Sequence, residues 1–301
     1  MLVVGTAVLL LVLAASMRRD VTRARVGVTA SVFGVALLAL ALAAPPAQAA
    51  AVVSVPLGTT AGYSVLGAST VTNTGGSVLA GSLGLSPGSS VTGFPPGIVT
   101  PPATIDTSST ADQAQSDLTA AYVDAAGRSL TATTTADLAG LTLTAGVYSG
   151  PDRSALELSG TLVLDAEGDE TAVFIFQTDS TLITGSASSV QLVNGAQACS
   201  VFWQVGSSAT LGSGSVFVGN VLAQISITVN SGVTVHGRAL ARTGAVTLDN
   251  DVFTDASCAE TAPTTTGETG PTITLDTTPP TTADTGGTTS TPQGSTTVCR
   301  A

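Results

Sequence analysis

Lysine is absent from this chain of 301 residues, and all nine basic residues are arginine. Four of these, Arg18, Arg19, Arg23 and Arg25, lie near the N-terminus, so the remainder is acidic under a formal net charge of -11. That balance argues against nucleic acid as a partner, because such binding depends on Lys and Arg neutralising phosphates. Aromatic residues reach only 4%, too few for a surface that grips sugars by stacking. Three cysteines and a single histidine show no paired spacing of the kind a zinc site needs. Charged residues are scarce at 10%, while Thr, Ser, Gly, Val and Ala are abundant. Such a composition suits an all-β protein with a large core rather than a disordered chain.

The two ends differ from the middle. "MLVVGTAVLLLVLAAS" is followed by "MRRDVTRAR" and then "VGVTASVFGVALLALALAAPPAQAA". The second and third pieces read as a secretory signal, basic then apolar, ending in the small-x-small Ala47-Gln48-Ala49 with cleavage after Ala49. Residues 1–49 are therefore expected to be a signal region, with translation starting at Met17. The alternative is a membrane-anchored hairpin with the Arg cluster inside. Either reading exports the body, to the medium or the cell surface. Residues 259–301 lose all apolar period and become rich in Thr and Pro, as in "TTPPTTADTGGTTSTP". They read as a disordered tail, serving as a spacer or as a link to the cell envelope. In an exported chain Cys199–Cys258 is the expected disulfide, leaving Cys299 in the tail; the alternative is a buried thiol at Cys199.

The body, residues 50–258, is patterned for short strands. In "ISITV", Ile225, Ile227 and Val229 are expected on one side and Ser226 and Thr228 on the other. "VFWQVGSSATLGSG", "GNVLAQISITVNSG" and "GRALARTGAVTLDN" repeat this unit and place Thr210, Thr228 and Thr247 about 18 to 19 residues apart. Gln204, Gln224 and Arg242 precede those strands in like manner, and Gln177 matches Gln204 in an earlier coil. Strands separated by Gly, Asn or Ser corners at this period are the signature of a β-solenoid. His236 is read as a coil-corner residue. "TADQAQSDLTAAYVDAAGRSL" breaks the pattern: Ala114, Leu118, Ala121, Tyr122 and Ala125 recur at helical spacing. Thr110 and Gln113 form a candidate capping box. With one narrow apolar stripe, the helix should lie along the outside of the solenoid. Before it, "ASTVTNTG" places Thr70 and Thr72 on a common side.

Leu138 to Tyr148, Asn194 to Gly212 and Ser231 to Ala241, with the "AAYVDAAGR" helix and "VLGASTVTNTG", resemble the microbial ice-binding family of DUF3494 type. The resemblance runs over nearly all of Tyr63 to Thr254. It implies an all-β, right-handed discontinuous β-solenoid of triangular section, with one long α-helix alongside. It also implies that the first strands complete the stack beside the last coils. Its functional implication is adsorption to ice crystals rather than catalysis, through a flat face of Thr-small-x-Thr-like strands. The matching positions are Ser208 and Thr210, Ser226 and Thr228, Ala245 and Thr247, with Thr70 and Thr72. The pattern departs from the family at Ile225-Ser226, and Arg242 stands close by.

Two other readings remain open. The first is a surface adhesin, or a structural solenoid on a Thr/Pro stalk. The second is a polysaccharide-acting β-helix enzyme, which needs carboxylates clustered in a groove. The acids of "DAEGDE", Asp165, Glu167, Asp169 and Glu170, lack EF-hand spacing and read as a solvated turn rather than a calcium loop. No metal and no cofactor is expected.

Overall fold

Three-residue runs such as Ala209–Leu211 and Ile227–Val229 cannot persist alone and exist because each stacks on its neighbours. The computed structural model describes residues 52–254 and Cys258. The expected signal region, the start at Met17, the tail from 259 onward and Cys299 lie outside the described residues. In chain order come β1 (Tyr63–Gly67), β2 (Thr70–Thr74), β3 (Val78–Leu79), β4 (Ser82–Leu85), β5 (Ser90–Thr92), β6 (Ile98–Val99) and β7 (Ile105–Asp106). Helix α1 (Ser109–Gly127) follows, then β8 (Ala132–Thr133), β9 (Thr142–Leu143), β10 (Gly146–Ser149), β11 (Leu156–Leu158) and β12 (Thr161–Asp165). The remainder is β13 (Phe174–Thr178), β14 (Leu182–Thr184), β15 (Ser189–Val193), β16 (Val201–Val205), β17 (Ala209–Leu211) and β18 (Val216–Ala223). The last four strands are β19 (Ile227–Val229), β20 (Thr234–Ala241), β21 (Val246–Asp249) and β22 (Val252–Thr254).

Three faces result, each from strands paired in parallel. The helix face runs β8-β10-β13-β16-β18-β20-β1-β4-β7. A separate seven-stranded sheet runs β11-β14-β17-β19-β21-β2-β5, and is called the threonine face. The third runs β9-β12-β15-β18-β20-β22-β3-β6, and is called the valine face. The eight-residue strands β18 and β20 belong to both the valine and helix faces and pair along their whole length. Gly219 and Gly237 stand opposite each other where they turn from one face to the other. Gly219 has φ 112° and a Cβ there would lie 2.7 Å from Val201 Cγ1, so only glycine fits.

The stack is discontinuous. The last coil, β20-β21-β22, receives the first, β1-β2-β3, on its open edge. Arg238 fastens this joint, donating from Nε and Nη2 to Ala61 O at 2.9 and 2.7 Å and from Nη1 to Asn220 Oδ1 at 2.8 Å. Asp251, fully buried, accepts from the N–H groups of Val233 and Asp249 while its own N–H donates to Ser77 Oγ. Inside, Tyr148, Phe176, Trp203 and Phe217 stack up the coils with ring centroids 5.8, 4.1 and 5.1 Å apart. The Trp203 Nε1–H donates to Val218 O, which satisfies its one buried donor.

Helix α1 buries Ala114, Leu118, Ala121 and Ala125 against Leu66, Val147, Ile175, Phe202, Leu222 and Leu240 of the helix face, and Ala111 in its first turn is buried as well. Burying Leu118 alone stabilises by about 1.5–3 kcal/mol. Gln side chains tie the two layers: Gln115 Nε2 donates to Gly67 O and Ala241 O, and Gln177 Nε2 to Ala125 O and Arg128 O. Cys199, in the turn between β15 and β16, is joined to Cys258 by a disulfide.

Several local readings change. The helix is capped by Ser108, whose hydroxyl accepts from Thr110 N, rather than by a Thr110–Gln113 box. Ile225 is 45% exposed instead of inward, because the strand begins only at Ile227 and Ile225 sits on the corner before it. Gln204 is in register with Leu222, not Gln224; a coil step here is 18 residues, and Gln224 instead accepts from Arg242. His236 lies within β20, its Nδ1 2.7 Å from Thr254 Oγ1, and not at a corner.

Burial pushes the Asp251 carboxyl from 3.8 up to about 7, against the pull of its N–H donors. The folded state therefore holds a proton that the unfolded chain has released. The stability that Asp251 contributes is full below about pH 4 and is lost as pH rises through 7. Asp106, Asp117 and Asp137 act in the opposite sense and only in acid, since hydrogen bonds from Ser108, Thr59 and Ser159 respectively hold them below the usual value. The melting temperature should thus fall by on the order of 5 °C between pH 5.5 and 8.5. Asp251→Asn should flatten that slope while lowering the melting point at both pH values, since its amide nitrogen faces an N–H donor. A slope unchanged in Asp251→Asn, measured by circular dichroism, would show that another group causes it.

Candidate functional site

The threonine face has inward Leu, Ile and Val alternating with outward short side chains. Register brings Thr210, Thr228, Thr247, Thr72 and Thr92 onto five successive strands, β17, β19, β21, β2 and β5. The spacing between such strands is about 4.8 Å. Thr72 Oγ1 lies 3.4 Å from Thr247 Oγ1, across the joint between the last and first coils. All five side chains are half-buried or exposed.

A second column runs beside the first. Ser208, Ser226 and Ala245 lie two residues before their threonines, and Thr70 pairs with Ser90 at the other end. The serine hydroxyls also serve the stack: Ser226 N donates to Ser208 Oγ at 3.3 Å and Ala245 N to Ser226 Oγ at 3.1 Å. These two oxygens are thereby tied to the backbone of the next coil.

Of the positions singled out in the sequence on this face, Thr70, Thr72, Thr210, Thr228 and Thr247 lie in one sheet, and Ser208, Ser226 and Ala245 stand just before its strands. Thr92 and Ser90 were missed, although "SVT" repeats the small-apolar-Thr pattern of "SIT" and "AVT". The lattice ends at the opposite edge, where Thr210 pairs with the exposed Ile183 and Ile183 with the exposed Glu157. Arg242 does not disturb the face. Its guanidinium lies 4.5 Å from the Tyr122 ring centre and bonds Gln224, which turns it toward the helix.

A cleft of about 480 Å³ opens where the N-terminal segment meets β20, lined by Tyr63, Ser64, Ser82, Arg238 and Thr254. It contains no carboxylate pair. Tyr63 donates to Asp106, and burial, reinforced by that carboxylate, raises its phenol to about 12. Among the described residues, no three His, Cys, Asp or Glu side chains come together as metal ligands. In the "DAEGDE" turn, Asp165 Oδ1 is occupied by Glu167 N and Asn194 Nδ2, and Asp169 Oδ1 by Thr171.

The family model described as Ice-binding-like matches residues 65–254. An "Ice-binding protein" of Nostoc sp. (strain HG1) is 53% identical over 206 residues, covering 66% of this chain and 74% of that protein. The crystal structure of an ice-binding protein from the Antarctic ascomycete Antarctomyces psychrotrophicus superposes with a TM-score of 0.64 at 41% identity. It covers 68% of this chain and 99% of its own. The crystal structure of an ice binding protein from an Antarctic Biological Consortium gives a TM-score of 0.65 at 43% identity, covering 70% and 96%. With a match that spans most of the described solenoid and a relative 53% identical over 206 residues, this chain belongs to the Ice-binding-like family.

Proposed function

We propose that the chain adsorbs to ice through the threonine face and arrests crystal growth or recrystallisation. The observation that carries this is the uninterrupted column of five threonines in register, free of charge. Each threonine offers a hydroxyl and a methyl, and its β-branch leaves little rotamer freedom to lose on contact. Water ordered on this lattice matches rows of oxygens in an ice plane, whereas a charged side chain would impose its own hydration. Many weak contacts made at once then hold the molecule against the crystal. Ice advancing between adsorbed molecules must curve, and a curved front is less stable than a flat one.

The same reading places the protein outside the cell. A Cys199–Cys258 disulfide suits an oxidising compartment, and residues 1–49 have the pattern of an export signal. The tail from residue 259 would link the body to the envelope or space it from other partners.

Thr228→Tyr should leave the melting temperature nearly unchanged, as surface substitutions usually cost within about 0.5 kcal/mol. It should nonetheless remove most ice-growth inhibition, because one protruding ring holds the lattice away from the crystal. Thr92→Tyr should act the same way, and Val123→Tyr, on the outer side of α1, should do nothing. Retention of full activity by both threonine variants, read as thermal hysteresis and crystal shape, would show that this face is not the one used. A parent protein that leaves ice unshaped would end the reading altogether.

A further inference from the structure

The two ends of the coil stack differ in charge. At one end the three faces stop at β8, β9 and β11, where Asp152 and Glu157 are exposed and Asp137 is half-buried. At the other they stop at β5, β6 and β7, which all come from the segment between β4 and α1. From Ser86 to Ile105 that segment holds no charged residue, although the chain as a whole carries -11. Phe94, Pro95, Ile98, Val99, Ala103 and Ile105 line a groove of about 370 Å³ there. Ile98 and Ile105 are 54% and 45% exposed. Asp106, the next charge along the chain, is tied down: its carboxylate accepts from the Tyr63 hydroxyl and from Ser108 N and Oγ.

Exposed apolar side chains gathered round one groove, rather than scattered singly, mark a contact surface. Charge tells what fits it. The end offers no Arg or carboxylate to pair with a charged partner, so the complementary surface is itself neutral and apolar. A second copy of this chain supplies one, in the same end. Seating the other end of a second copy here would instead bury Asp152 and Glu157 with no cation opposite them, which is costly. Neutral end on neutral end is the pairing that avoids this.

Prolines decide how the two ends meet. Strand β6 has two residues, set between Pro95-Pro96 and Pro101-Pro102, which have no N–H to offer a further strand. The end therefore packs by side chains and does not template the addition of strands. Cys258 is bonded to Cys199 between β15 and β16, and so lies away from this end.

We propose that the uncharged end is a contact between two copies of this chain, joined end to end about a two-fold axis with their apolar grooves facing. An isologous contact of this kind uses the same patch on both partners, so it closes at two and does not grow into a filament. It covers only the ends of short strands, which places it in the small, reversible class of interfaces. It lies across the end of the stack and leaves both threonine faces open, so it is independent of the ice-adsorbing reading.

The test is sedimentation velocity of the full chain over a concentration series, at low and high salt. The parent should pass from one copy to two and stop there. Salt should strengthen the pair, because it screens repulsion between two acidic bodies, whereas a contact held by ion pairs would weaken. Ile98→Asp and Ile105→Asp should each weaken the pair at least about tenfold, since the two-fold buries the unpaired carboxylate twice. Their melting curves should match the parent's, as both side chains are exposed. Ile183→Asp, on the exposed Ile183 of β14, should leave the pair intact. A parent that stays a single copy overturns the proposal, and so does a pair indifferent to both end variants or weakened equally by Ile183→Asp. Growth beyond two copies that Ile98→Asp abolishes would show strand addition instead. A single-copy parent that sediments with phosphatidylcholine vesicles, while Ile98→Asp does not, would give this end to a membrane.

Discussion

Parallel hydrogen bonding from one coil to the next is the constraint on which this molecule depends. Side chains in a strand alternate sides, so a slip of one residue would turn Ile227 and Val229 outward and Thr228 into the core. The same register that closes the apolar column thus lays out the surface lattice, and neither can be changed alone. The bend at Gly219 and Gly237 shows how tightly the coils are matched, since two glycines meet where any side chain would push the strands apart. The joint between last and first coils preserves this register between Thr72 and Thr247, 175 residues apart in sequence. Arg238 fastens it by donating to Ala61 O of the incoming segment, and the Asp251 N–H donates to the Ser77 hydroxyl while its carboxyl accepts from Val233 N.

A solenoid of this kind has three flanks, and the chain treats them differently. One is apolar enough to require a cover, which α1 provides through small alanines that let its backbone lie close. Paired glutamines then spend their amides on helix and coil carbonyls, so the helix is located along its length as well as attached. The other two flanks carry side chains short enough to be left in water. Bulk and charge are pushed to the edges: Arg242 folds over Tyr122, and Glu157 stands where the threonine column has already ended.

Strand alternation and the threonine spacing were legible because both depend on nearest neighbours along the chain. Thr210, Thr228 and Thr247 recur at almost constant intervals, and such a period survives in sequence. Corners were less legible. Ile225 belongs by pattern to the strand that follows, but three-residue strands leave no room to distinguish the first strand position from the turn before it. Gln204 and Gln224 look equivalent beside their threonines, yet the register that decides the matter is set on a different flank. The stacking of β2 on β21 is a long-range pairing with no local trace, and only likeness to a family indicated it. Thr92 is less legible because it lies in that displaced part, just before the proline-rich stretch from Pro95 to Pro102 that obscures the repeat.

The disulfide gives the body a particular mechanical character. Strand β22 has three residues, and a chain pulled from its end would ordinarily peel such a strand off rung by rung, breaking few hydrogen bonds at a time. Four residues beyond Thr254, Cys258 is bonded to Cys199, between β15 and β16, well down the stack. Tension arriving through the C-terminal segment is therefore delivered to the middle coils, beneath β22, where many rungs would have to shear together. Cys199 also sits on the edge between the helix and valine flanks, away from the threonine lattice. A pull applied at Cys258 would then fall on that edge and leave the threonine strands unloaded.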